Sequence, residues 1–264
     1  MADRGDLKRS KALAGDAATD PSPQNRRNCA LNQVGNSREH LWGISIILDT
    51  LDPRTLSDTP RIEQAMREAG FRLDPHSPQP GSWLNREDIP VDLMVPAALV
   101  GAGGRRGARI PPHSKHAARR ARGLEAAVID HTPMRIGALD QHDPRAWTVR
   151  VASPAALLVS KVHKIAERAS TPDRLTDKDA HDIYRLLVCI PTGPLAAAIG
   201  RLQLDPLAGE VTRQAVSLLD EHFAAGPHAL GPTMAGRAEE GIGDPPVVAA
   251  ALAALAADLI AAIS

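Results

Sequence analysis

Residues 153–168 read SPAALLVSKVHKIAER, and this segment has the pattern of a helix with a defined start. Ser153 is suited to the N-cap, because its hydroxyl can accept a hydrogen bond from a backbone N–H of the first turn. Pro154 is suited to the first helical position, where its missing N–H leaves no hydrogen bond unmade. An apolar stripe follows at helical spacing, formed by Leu158, Val162 and Ile165. The segment therefore predicts an amphipathic helix from Ser153 onward.

The pattern stays helical from this segment towards the C-terminus. Thr176 and Asp179 have the spacing of a capping box, which predicts the start of a second helix. The buried face predicted for that helix comprises Ile183, Leu187 and Ile190. The most apolar stretch, 247–263, contains nine alanines and Asp258, and it predicts a buried helix rather than a membrane span. We therefore expect no membrane partner.

The chain before residue 151 has the pattern of a sheet instead. Residues 89–96 read IPVDLMVP, in which every second side chain is apolar, namely Ile89, Val91, Leu93 and Val95. A period of two predicts a strand with two unlike faces, and it places Asp92 on the face away from this apolar row. Further strands are predicted at Ile44–Leu48 and Trp147–Val151.

These patterns divide the chain into three parts. Residues 1–38 mix charges with Gly, Pro, Asn and Ser without apolar periodicity, so we expect them to be disordered or irregular. A short helix is predicted from Thr59 at its N-cap to a stop at Gly70. The sequence thus predicts an α+β protein, with an α/β core over residues 39–151 and a helical domain over 152–264.

Composition limits the classes of partner. The 31 basic and 31 acidic residues balance, so no global charge attracts nucleic acid or a membrane surface. Cys29 and Cys189 are too few for a disulfide framework or a multi-cysteine metal site, which favours a reducing, cytoplasmic location. A local exception is a stretch without acidic residues between Asp92 and Glu125. It carries Arg105, Arg106, Arg109, Lys115, Arg119, Arg120 and Arg122, and is interpreted either as a solvated face or as a contact for RNA phosphates.

Charged residues also recur at helical spacing in the C-terminal half. Lys161, Lys164 and Arg168 leave one side of the first predicted helix. On the next helix, Lys178, Asp179 and Asp182 share an edge in the same way. Two interpretations stay open: the helices neutralise each other at the surface, or the residues form a site.

Three segments together resemble the AbiEii-type nucleotidyltransferases, toxins of bacterial toxin–antitoxin pairs with a polymerase-β-like core. They are IPVDLMVP at 89–96, SPAALLVSKVHKIAER at 153–168 and RLTDKDAHDIYRLL at 174–187. The resemblance covers about half of the chain, from Thr59 to Ile190. It implies a small mixed sheet of nucleotidyltransferase type with a C-terminal helical domain.

The resemblance also implies an activity, the metal-dependent transfer of a nucleotide from an NTP to an RNA or protein acceptor. Carboxylates would hold Mg²⁺ against the triphosphate. Asp92 matches a metal-binding position, Lys161 matches the helix lysine that neutralises phosphate charge, and Asp182 matches a following acidic position of the catalytic set. The resemblance implies nucleotide binding for Lys161, Lys164, Arg168, Lys178 and Asp179. It further implies a partner antitoxin protein.

One motif of that family has no counterpart here. Its first acidic pair is Asp-x-Asp on a strand, whereas the nearest acids in this chain, Asp49 and Asp52, are three residues apart. On a strand, that spacing puts the two side chains on opposite faces. Asp49 stays a candidate metal ligand, but enzymatic activity is left open. The alternative is a catalytically inactive family member that binds a nucleotide, RNA or a partner protein.

Overall fold

The structure is a computed structural model that describes residues 48–102, 106–138, 140 and 142–264, without the side chains of residues 48, 49 and 102. The predicted disorder of residues 1–38 and most of the predicted strand Ile44–Leu48 lie outside the described residues. Within them, a small mixed sheet is followed by several helices, which confirms the α+β class.

The strands form a five-stranded sheet and two separate antiparallel hairpins. In chain order they are β1 (Leu48–Thr50), β2 (Arg72–Leu73), β3 (Ser82–Leu84), β4 (Pro90–Pro96), β5 (Gly101–Ala102), β6 (Ala108–Arg109), β7 (Arg119–Ala121), β8 (His131–Gly137) and β9 (Ala146–Ala152). The sheet has the order β1-β4-β3-β2, and β7 also pairs with β4. The hairpins are β5 with β6 and β8 with β9.

Strand β4 organises the sheet. It runs parallel to β1 and β7 and antiparallel to β3, and Asp92 lies opposite Leu48 on one side and Ser82 on the other. The strand predicted from Ile89 begins one residue later. Ile89 was expected to face inward but is 53% exposed, because it belongs to the preceding turn, where its N–H donates to Asn85 Oδ1 at 2.8 Å.

The core of the sheet is centred on Trp83, which is fully buried among Ile62, Leu93 and Val95. Its indole Nε1–H donates to the carbonyl of Ala117 at 2.9 Å, so the one polar atom of the side chain is satisfied. Close packing here depends on Gly81, whose φ is +77°. A Cβ on residue 81 would lie 2.6 Å from the backbone N of Arg119 and still closer to the carbonyl oxygen of Leu93.

Helix α1 (Ile62–Glu68) begins later than its sequence predicts. Thr59 was expected as the N-cap, but the N-cap is Arg61 and the backbone N–H of Ile62 donates to Nδ1 of His113 at 3.2 Å. A side chain distant in sequence thus satisfies the first turn, which local spacing cannot reveal. The predicted stop is confirmed, since Gly70 follows the helix with a φ of +87°.

Helices dominate the chain after β7. They are α2 (Glu125–Ile129), α3 (Pro154–Arg168), α4 (Asp177–Cys189), α5 (Thr192–Leu204), α6 (Gly209–Leu219), α7 (Leu230–Arg237) and α8 (Pro245–Ile263). A π-helical turn, Asp220–Ala224, connects α6 to the segment before α7. Their buried side chains form a second hydrophobic core, separate from that of the sheet.

The start of α3 agrees with the sequence prediction. Ser153 is the N-cap, its Oγ accepts from the N–H of Ala156 at 3.2 Å, and Pro154 is the first helical residue. The hydroxyl of Ser153 also contacts the carboxylate of Asp130, which ties this helix start to the end of α2. The predicted stripe is buried: Leu158, Val162 and Ile165.

Helix α8 is long and apolar enough to cross a membrane, with a mean hydropathy of 2.2. One side of it packs into the helical core through Val248, Leu252, Ala256 and Leu259. A core helix and a membrane span share this composition. The expectation that the protein has no membrane partner therefore stays a prediction.

Candidate functional site

Five of the predicted site residues form one ion-pair cluster between α3 and α4. The Nζ of Lys164 lies 2.7 Å from Oδ1 of Asp179, and the Nζ of Lys161 lies 2.7 Å from Oδ2 of Asp182. Two longer ion pairs join Lys161 and Arg168 to Asp179, at 3.8 and 3.6 Å. We call these five residues the Asp179 cluster.

Charge is largely compensated within the Asp179 cluster. The side chain of Asp179 is only 8% exposed, and three cations lie within ion-pair distance of its carboxylate. Burial lowers the pKa of Lys164, the hydrogen bond to Asp179 opposes that shift, and the positive charges of Arg168 and Lys161 add to it. The two helices thus neutralise each other at this surface, and a role of these residues in nucleotide binding stays a prediction.

The capping box predicted at the start of α4 does not form. Thr176 is the N-cap as expected, but it makes no side-chain cap hydrogen bond. The side chain of Asp179 is turned instead towards the cations of α3, while its backbone N–H donates to the carbonyl of Thr176 at 2.8 Å. Lys178, the neighbouring predicted nucleotide-binding residue, lies on an exposed part of α4.

Asp92 lies on β4, with about a third of its side chain exposed. Its Oδ2 accepts a hydrogen bond from Nη2 of Arg119 at 2.9 Å, and the same guanidinium contacts Sδ of Met94. Directly opposite residues of neighbouring strands share a face, so Asp92 and Ser82 point to the same side of the sheet. No hydrogen bond or ion pair joins Asp92 to Lys161.

The magnesium ion that the resemblance to nucleotidyltransferases implies stays a prediction. Mg²⁺ prefers several oxygen ligands, and the residues that the structure describes contain no group of three His, Cys, Asp or Glu side chains able to hold a metal. Asp92 is already paired with the guanidinium of Arg119. The backbone of Asp49 lies opposite Leu93 in the β1–β4 pairing, and its side chain lies outside the described part of the structure.

A cleft beside the sheet brings together cations from separate segments. Its volume is about 740 Å³. We call it the basic cleft, and its lining comprises Leu73, Asp74, Ser77, Pro78, Gln79, Pro80, Ser82, Arg106, Gly107, Lys115, His116 and Arg174. Arg106 is held at the side of the cleft, since its Nη1 donates to Oε1 of Gln79 at 2.9 Å and its Nη2 lies 3.5 Å from Oε1 of Glu167.

Positive charge accumulates around Arg106. Burial lowers the pKa of its guanidinium, and the positive charges of Arg174, Arg119 and Arg168 lower it further, whereas Glu167 alone opposes them. The repulsion from these like charges disfavours the charged form of Arg106. An anion in the basic cleft would relieve this repulsion.

The sequence located part of this cleft. Arg106 and Lys115 belong to the acid-free stretch, which was interpreted as a solvated face or an RNA contact. That stretch is divided in the fold: Arg119 pairs with Asp92, while Arg109 is exposed on β6. Arg174 was missed because it lies far from this stretch, in a 3-10 turn between α3 and α4.

Comparison with known proteins identifies no relative. No protein-family model matches the chain, and neither the curated proteins nor the solved structures contain a match.

Proposed function

We propose that this protein binds a nucleotide in the basic cleft and acts as a nucleotide-binding module. The observation that carries the proposal is the convergence of Arg106, Lys115 and Arg174 from three separate segments on a lining with a single carboxylate, Asp74. Excess positive charge in a concave site favours a ligand with several negative charges, which can form charge-assisted hydrogen bonds with those cations.

Part of the lining of the basic cleft is apolar. Leu73, Pro78 and Pro80 contribute to its lining, close to the cations. A nucleotide likewise combines a flat base, which can contact apolar side chains, with a charged polyphosphate. The volume of about 740 Å³ also lies within the range usual for small-molecule sites, roughly 300–1,000 Å³.

Nucleotide transfer is a further step that the resemblance to nucleotidyltransferases implies. Neither Asp92 nor Lys161 belongs to the lining of the basic cleft, and both charged groups have partners of opposite charge. A magnesium ion at Asp92 would compete with Arg119 for the carboxylate. Binding without transfer is therefore the function that this geometry supports best.

Titration calorimetry of the full chain with ATP, GTP, CTP and UTP tests the binding. We expect saturable binding of at least one of them, and weaker binding of tripolyphosphate or of the nucleoside alone. Arg106→Gln and Arg174→Gln should each weaken affinity by about 5- to 30-fold, the effect of losing one charge-assisted hydrogen bond. Arg109→Gln is the matched control, because it removes an exposed arginine outside the cleft.

Two results would refute the proposal. One is the absence of saturable binding for all four nucleotides, and the other is an equal loss of affinity in the Arg109→Gln control. Incorporation of labelled nucleotide into RNA or protein separates binding from catalysis. We expect none, whereas metal-dependent incorporation that Asp92→Asn abolishes would establish the transferase instead.

A further inference from the structure

The last turn of α3 contacts the basic cleft without contributing to its lining. Glu167 approaches Arg106, with 3.5 Å between its Oε1 and Nη2 of the guanidinium. Arg168, the next residue, donates a hydrogen bond from Nη1 to the backbone carbonyl of Arg174 at 3.3 Å. Neither Glu167 nor Arg168 belongs to the lining of the cleft. One helix end therefore contacts two cationic residues of the cleft that come from separate segments.

Arg174 belongs to the 3-10 turn Pro172–Arg174, which connects α3 to α4. The first two residues of this turn are exposed, so their packing contributes little to its position. Arg168 contacts both ends of the connection, because its backbone carbonyl accepts from the N–H of Thr171 at 2.8 Å while its side chain bonds to the carbonyl of Arg174. Beyond the turn, Leu175 packs against the helical core. The side chain of Arg168 thus fixes the end of the turn from which Arg174 extends.

Arg174 requires such a restraint because a like charge lies close to it. Burial has the largest effect in lowering the pKa of Arg106, and among the neighbouring charges that of Arg174 has the largest effect. The two guanidinium groups therefore repel each other, which favours a turn displaced from the cleft. The bond from Arg168 opposes that displacement. Arg168 is in turn anchored at Asp179, 3.6 Å away in the Asp179 cluster.

We propose that Arg168 is a positioning residue for the basic cleft, an inference that rests on the proposed nucleotide binding. Its guanidinium holds the carbonyl of Arg174 and so keeps the side chain of Arg174 in the lining of the cleft. This role differs from the direct nucleotide binding that the family resemblance implies for Arg168. A group held in place before the ligand arrives loses less freedom on binding, so removing the restraint should weaken affinity.

Titration calorimetry of the full chain tests this, with whichever of ATP, GTP, CTP and UTP binds most tightly. Arg168→Gln should weaken affinity by about 3- to 10-fold, the effect of leaving one long side chain to be ordered on binding. The variant should fold, because Asp179 keeps Nζ of Lys164 at 2.7 Å, and circular dichroism checks this. Arg237→Gln is the matched control, since Arg237 pairs with Asp177 at the start of α4 and lies outside the cleft lining. It should bind the nucleotide as the wild type does.

A double-mutant cycle separates positioning from a direct effect of the charge on residue 168. If Arg168 acts through Arg174, Arg168→Gln should change affinity by less than about twofold once Arg174→Gln is present. A guanidinium that attracts the polyphosphate independently would retain its full effect in that background. Losses that multiply in the double variant therefore overturn the proposal, as does wild-type affinity in Arg168→Gln or an equal loss in Arg237→Gln.

Amide hydrogen exchange tests the same contact without a ligand. The N–H groups of Arg174 and Leu175 donate within the turn, each at 2.9 Å. Their protection should fall in Arg168→Gln and stay at the wild-type level in Arg237→Gln. A wild type that binds no nucleotide overturns the proposed function and this inference together. A wild type that binds, with unchanged protection in Arg168→Gln, overturns the inference alone.

Discussion

Asp179→Asn tests whether the Asp179 cluster stabilises the packing of α3 on α4. The substitution keeps the size of a side chain that is only 8% exposed but removes the charge that three cations surround. Lys164 and Arg168 would lose their partner while remaining close to each other and to Lys161. Breaking a buried ion pair lowers the free energy of unfolding by several kcal/mol. We expect a smaller loss here, of about 2 kcal/mol, because the cations around Asp179 are partly exposed.

Urea denaturation followed by circular dichroism measures this loss directly. A thermal scan should show a lower Tm, by roughly 4–8 °C for a chain of this size. Asp177→Asn is the matched control on the same helix, because the side chain of Asp177 is 35% exposed and pairs with Arg237 at the surface. That control should cost less than about 1 kcal/mol. Equal stability of Asp179→Asn and the wild type would refute the reasoning, as would an equal cost in the control.

Two further substitutions probe the helical half. Ser153→Ala removes the N-cap hydrogen bond to Ala156 and should lower the free energy of unfolding by about 1 kcal/mol, whereas an unchanged urea midpoint would show that the cap contributes nothing. Burial lowers the pKa of His163 below its usual 6.5, although the hydrogen bond to the carbonyl of Val211 opposes this shift. Below pH 6.5 the unfolded chain therefore binds more protons at His163 than the folded chain does. The free energy of unfolding should fall as the pH falls through the pKa of the folded state. His163→Gln keeps a donor for that carbonyl, and the difference in unfolding free energy between about pH 7.5 and pH 5.5 should be smaller in this variant than in the wild type.

Local signals predicted the parts of the fold that depend on neighbours in sequence. The start of α3 follows from Ser153 and Pro154, and the end of α1 follows from Gly70, because each acts on the turn next to it. The start of α1 depends instead on His113, which reaches Ile62 from a distant loop. Likewise, the side chain of Asp179 forms ion pairs with cations of α3 and does not cap the start of its own helix, α4.

The candidate site was likewise predictable only where its residues are neighbours in sequence. Helical spacing brought Lys161, Lys164 and Arg168 onto one side of α3, and the structure places them against the acids of α4. Helical spacing alone could not reveal that Asp179 and Asp182 would form ion pairs with these cations. The basic cleft could not be assembled from the sequence either, because tertiary contacts alone bring Arg174 beside Arg106.

The glycine at position 81 has a consequence for recognising relatives of this protein. Any side chain there would force β3 away from β4 and β7, and with it the neighbouring Ser82 that lines the basic cleft. The requirement concerns backbone spacing and is independent of whatever chemistry the chain performs. A related sequence could therefore exchange Asp92 or Arg106 and retain this sheet, but it should keep glycine where β3 begins.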